Sequence, residues 1–83
     1  MNHVIVKVYL PTLQRDFEVK LPCAMNSFLA AQLTAKALSP LSEMTYLPSH
    51  SSVFAWKETG RLVGTGLSVE EAGIMNGSRL ILL

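Results

Sequence analysis

The sequence predicts an α+β domain in which a mixed sheet of four to five strands packs on one helix. Three observations carry this expectation. Residues 3–10 and 15–21 alternate apolar and polar side chains around a proline-containing turn, residues 28–39 are rich in alanine and leucine, and residues 78–83 return to alternation. With 83 residues, 49% of them hydrophobic, the chain has enough apolar material for one core and not for two, so 1–83 is expected to be a single domain.

In the first segment Val4, Val6 and Val8 fall on one side, and Ile5, Lys7 and Tyr9 on the other. After residues 11–14, Phe17, Val19 and Leu21 alternate with Asp16, Glu18 and Lys20, which completes a hairpin. Pro22 ends the second strand. Asn26 or Ser27 is suited to accept the unpaired amides at a helix start, and the helix from Phe28 to Ser39 runs to the stop at Pro40. Leu29, Ala30, Leu33 and Ala37 form one apolar flank of it, Phe28, Ala31, Ala35 and Leu38 another, and the sequence does not decide which meets the sheet.

Leu41 to Ser52 is rich in serine and proline and is expected to be a loop. A second hairpin follows, in which Val53 to Lys57 and the short Arg61 to Val63 flank a turn with Gly60 at its tight position. Ser68 and Glu71 have the spacing of a capping box that opens a helical turn closed by Gly73, and Asn76-Gly77 is a turn dipeptide before the last strand.

Composition excludes several activities. Seven lysines and arginines scattered among six acids leave a net charge of +1, so no basic face exists to neutralise a phosphate backbone, and nucleic acid is not an expected partner. No apolar run reaches the roughly 18 residues of a membrane span, so no direct membrane insertion is expected, and the opening residues lack the pattern of a signal peptide. Cys23 is the one cysteine, without a second thiol to pair with or a metal-ligand spacing around it, and a reducing, cytoplasmic setting fits. His3 and His50 have no partner at suggestive spacing, and the five glycines are placed as turn residues and not as a phosphate loop. No catalytic, metal or cofactor site is therefore expected, and the chain is not read as an enzyme.

The order strand, strand, helix, strand, short strand, helical turn, strand is that of a β-grasp. A right-handed crossover through the helix brings the first and last strands together as parallel central neighbours, with Val4, Val6, Leu80 and Leu82 facing the core. The whole chain resembles a ubiquitin-like protein. It resembles most the YukD and EsaB family of small bacterial proteins tied to type VII (WXG-type) secretion, through residues 3–11 (HVIVKVYLP), Thr59-Gly60-Arg61, and above all residues 69–82 (VEEAGIMNGSRLIL). The resemblance implies a cytoplasmic adaptor or regulator that contacts the membrane-embedded or ATPase components of a secretion system. Ubiquitin-like modifiers and sulfur carriers react through a flexible tail ending in Gly-Gly, whereas this chain stops at Leu82-Leu83. That disfavours the alternative, a sulfur-carrier or protein-modifier relative.

Strand parity then places a recognition surface. With Val4, Val6, Leu80 and Leu82 inward, Ile5, Ile81 and Leu83 share the outer face of the two central strands. Phe54 is expected to join them, since Val53 and Ala55 make the better-sized core pair, and Leu10 lies near the hydrophobic patch by which ubiquitin is commonly recognised. Ile5, Leu10, Phe54, Ile81 and Leu83 are thus the expected partner-binding residues, for a protein partner or for a second copy in a homo-oligomer. The opposite parity, with Phe54 and Trp56 inside, shrinks the patch.

Overall fold

The computed structural model describes residues 2–38 and 52–83. Strand β1 (His3–Leu10) turns through residues 11–14 into β2 (Arg15–Pro22), helix α1 (Ser27–Leu38) follows, and β3 (Phe54–Trp56) and β4 (Arg79–Leu82) complete a sheet of order β2-β1-β4-β3. The central pair β1 and β4 is parallel, and both outer pairings are antiparallel. The expected mixed sheet on one helix is the observed architecture. Its fifth strand shrinks to one bridge between Ala55 and Leu62, so among the described residues the sheet has four strands.

Each boundary has a local cause. Asn26 accepts the Leu29 amide with its side-chain oxygen at 3.1 Å and so caps the helix, while the Ser27 hydroxyl donates to the Gly64 carbonyl and ties that end to the later loops. The expected extension of the helix to Ser39, its stop at Pro40, and the loop from Leu41 to residue 51 lie outside the described residues. Gly60, Gly73 and Gly77 all adopt positive φ, at turns where a side chain would be strained. The capping box forms in both directions: the Ser68 amide donates to the Glu71 carboxylate at 2.9 Å, and the Glu71 amide donates to the Ser68 hydroxyl at 3.1 Å.

The core lies between α1 and the sheet. Val4, Val6, Val8, Leu10, Leu80, Leu82 and Phe54 come from the strands, and Ala30, Ala31, Ala35 and Leu38 from the helix. Alanines allow the helix to approach the sheet closely. Its flank of Ala31, Ala35 and Leu38 faces inward together with Ala30 and Thr34, which leaves Leu29 and Leu33 exposed.

Two expectations about parity are corrected here. Phe54 is only 2% exposed and Leu10 is fully buried, so neither lies on the outer face. Phe54 stands opposite Leu82 and Trp56 opposite Leu80, in the pairing that turns all four inward, and Trp56 packs half-buried against the core. Ala55 takes the outward position and is itself buried, between Ile81 on one side and Leu62 on the other. Leu10 is the last residue of β1 and keeps the inward parity of Val4, Val6 and Val8.

Candidate interaction surface

The outer face of the sheet is a grid whose rows are set by register. Opposite Tyr9 of β1 stand Asp16 of β2 and Ile81 of β4, and Ile81 in turn faces Ala55 of β3. The row beyond holds Val53 and Leu83, which exchange both backbone hydrogen bonds at 3.2 and 2.9 Å. The row before is charged, with Glu18, Lys7 and Arg79 in line and Lys57 joined to it through the hydrogen bond that its backbone amide donates to the Arg79 carbonyl at 3.1 Å.

Ile5 belongs to a different neighbourhood from Ile81. It precedes Tyr9 by four residues on the same strand, which is about 13 Å at ordinary strand rise, and the charged row runs between. The three aliphatics expected to lie together therefore divide. Ile81, Leu83 and Val53 form an apolar end with Tyr9, while Ile5 sits at the opposite end beside the turn that carries exposed Met75. Ile5 and Leu83 are the open members, at 52% and 53% exposure, and Ile81 is half-buried.

Charges organise the boundary of the apolar end. The Lys57 ammonium lies 4.6 Å from the centre of the Tyr9 ring and 3.4 Å from the Asp16 carboxylate, bridging the two edges of the sheet over its centre. Arg79 pairs with Glu58 at 3.5 Å, both well exposed. Surface pairs of this kind contribute little to stability, but they hold two cationic stems, Lys57 and Arg79, beside a hydrophobic cluster. Val53, Tyr9 and Lys57 were not among the expected binding residues. Assigning Val53 and Lys57 needs the β3–β4 register, for which the sequence carries no signal beyond Phe54 and Trp56 sharing one parity, and Tyr9 is placed by its pairing with Ile81 across β1 and β4.

Among the described residues no group of three or more His, Cys, Asp or Glu side chains is placed to hold a metal ion, and no helix is long and apolar enough to cross a membrane. Cys23 is a free thiol, half-buried against the core. His3 is exposed at the start of β1, and His50 lies outside the described residues.

No protein-family model and no curated protein matches the sequence. Solved structures do. The ubiquitin-like domain of the type VII secretion system protein EccD1 of Mycobacterium tuberculosis superposes with a TM-score of 0.76 at 23% identity, covering 100% of this chain and 99% of that one. The fold is ubiquitin-like. The EccD5 ubiquitin-like domain of Mycobacterium xenopi gives 0.79 at 17% identity over 100% and 94% of the two chains. A chain of the MycP5-free ESX-5 inner membrane complex gives 0.78 at 18% identity, with all of this chain matched to 21% of that one.

Proposed function

We propose that this ubiquitin-like domain is a non-enzymatic adaptor or regulator of a type VII secretion system, acting in the cytoplasm by protein–protein contact through the apolar end of its outer sheet face. The observation that carries this reading is the full-length superposition on the EccD1 and EccD5 domains, joined to the YukD- and EsaB-like sequence stretches. The surface chemistry fits recognition. Leu83, Ile81 and Val53 offer apolar anchors beside Lys7, Lys57 and Arg79, which suits a partner segment that places an aliphatic or aromatic side chain next to acidic ones.

The second reading is a sulfur carrier or protein modifier. The backbone at Leu83 is itself tied into the sheet by two hydrogen bonds with Val53. Incubation with ATP and an activating enzyme separates the two readings, because only a carrier or modifier yields an adenylate or thiocarboxylate mass shift.

The direct test is affinity capture from the native cell with three baits: wild type, Ile81→Lys with Leu83→Glu, and Ile5→Glu. Loss of the secretion components from the second bait, with retention by the third, is the expected result. Equal recovery by all three overturns the surface assignment, and capture of no secretion component by wild type overturns the functional one.

A further inference from the structure

Among the described residues the β2 edge of the sheet is open, self-complementary in charge, and bordered by an apolar groove, and the geometry points to a second copy of this chain pairing there, β2 against β2, to form an antiparallel dimer with one continuous eight-stranded sheet. Which backbone groups face outward is fixed by two observations. The Cys23 amide donates to the Asn2 carbonyl at 3.0 Å, one step beyond the register that pairs His3 with Pro22. Alternation along an antiparallel ladder then assigns Leu21, Val19, Phe17 and Arg15 to bonds with β1. Independently, Lys7 donates its amide to Ser78 and Ile5 accepts from Gly77, so those β1 residues bond toward β4 and their β2 partners Glu18 and Lys20 are left facing away. Asp16, Glu18 and Lys20 therefore present N–H and C=O groups at the edge. No backbone partner within the described residues meets them.

Parity and charge together favour one register. Two copies of β2 can pair antiparallel only with edge-facing residues opposite one another, which restricts the choice to shifts of two residues. Placing Lys20 opposite the partner's Lys20 sets like charges in contact, and placing Glu18 opposite the partner's Glu18 does so on the two-fold axis itself, although that register also brings Asp16 opposite the partner's Lys20. Setting Glu18 opposite the partner's Lys20 gives two opposite-charge pairs by symmetry, puts Val19 against the partner's Val19 on the two-fold axis, and sets Phe17 against the partner's Leu21. Lysine on an edge strand ordinarily discourages pairing, but alternation with glutamate reverses its effect in this register. The other edge offers no such ladder, since β3 has three residues and is flanked by the Leu62 bridge.

The same arrangement accounts for the exposed helix flank. Between β2 and α1 lies an apolar groove of about 180 Å³ whose lining includes Val19, Leu21, Met25, Ala30 and Leu33. A two-fold axis perpendicular to the sheet places both helices on the same side of the seam, so the two grooves run together over the paired Val19 side chains. Leu33 of each helix, 45% exposed in the single chain, then lines the joint trough.

Sedimentation velocity from ~10 μM to ~1 mM tests the proposal, a range suited to an interface of one strand pair with a groove. Wild type is expected to dimerise in this range. Glu18→Lys and Lys20→Glu should each weaken the dimer by about tenfold, because each turns two opposite-charge pairs into like-charge pairs. Mixing the two variants should restore association as a heterodimer, and the doubly exchanged chain should dimerise again. A disulfide read-out fixes the register: with Cys23→Ser, Val19→Cys should cross-link across a pair whose Cα atoms stand about 4.5 Å apart, and Glu18→Cys should not. A wild type that stays monomeric to ~1 mM, or a dimer indifferent to both charge reversals, overturns the proposal.

Discussion

The Asn76 side-chain oxygen accepts the Ile5 backbone amide at 2.8 Å, joining residues 71 apart in sequence. Gly77 donates to the Ile5 carbonyl at 2.9 Å and Lys7 to the Ser78 carbonyl at 3.0 Å, so three bonds set the parallel register of the two central strands at their common end. That register decides which outward side chains are neighbours.

Removing the side-chain bond should therefore weaken the sheet. Asn76→Ala is expected to cost about 1 kcal/mol, seen as a lower urea midpoint with an unchanged slope. Gly77→Ala should cost a similar ~1–2 kcal/mol for a different reason, since its φ is +85° and an added Cβ meets no atom within 4 Å. Strain alone is at issue there.

Phe54 tests the corrected parity of β3. Buried among the core residues, it should cost about 3–5 kcal/mol on change to alanine, a large part of the ~4–12 kcal/mol ordinary for a domain of this length. Exposed Leu62, across the bridge from Ala55, should tolerate alanine within about 0.5 kcal/mol. Chemical denaturation of both variants checks the contrast, and equal losses would restore Phe54 to the surface.

Local signals in the sequence are short-ranged, and the features they located are short-ranged too. The first hairpin, a helix cap at Asn26 or Ser27, the Ser68–Glu71 box and turns at Gly60, Gly73 and Gly77 each depend on residues within a few positions of one another, and they appear in the structure, with the cap at Asn26. The inward set of Val4, Val6, Leu80 and Leu82 followed from period-two alternation once the strand order was known. The binding surface failed at Phe54 and Leu10. Phe54 begins a strand of three residues, too short for alternation to choose a face, and the choice is made instead by pairing with Leu82. For Leu10 the likeness to ubiquitin's hydrophobic patch points to the surface, whereas alternation through Val4, Val6 and Val8 points inward, and the structure follows the alternation. The distance between Ile5 and Ile81 depends on a register fixed by Asn76 and Ser78, which no pattern along β1 encodes.

Glu71 gives the domain a defined response to acid. The Ser68 backbone amide, and then the Ser68 side chain, hold its carboxyl below the ordinary value of 4.5. A native pKa below the unfolded one means that the unfolded chain binds the proton more readily, so the contribution is complete above the unfolded value and is lost as pH falls through the native one. Comparison with Glu71→Gln isolates it. The stability difference between wild type and variant should be flat above about pH 5 and move in favour of the variant below about pH 4. A difference independent of pH across that window would show that the carboxylate is not engaged by Ser68.

The helix offers the last contrast, because its two apolar flanks are nearly equal in composition and unequal in burial. Ala35 has no accessible surface and lies where α1 meets the strands, whereas Leu33, two residues before it, is 45% exposed. Ala35→Leu adds three carbons to a closely packed layer and should destabilise by about 1–3 kcal/mol through displaced neighbours, despite leucine's good helix propensity. Leu33→Ala, measured on dilute protein, should cost no more than about 1 kcal/mol, since nearly half of the side chain is already hydrated and the change substitutes the best helix former. Thermal unfolding at a few micromolar separates the two outcomes. If Leu33→Ala were the costlier change, α1 would have to be turned about its axis with Leu29 and Leu33 toward the sheet, and the groove beside β2 would close.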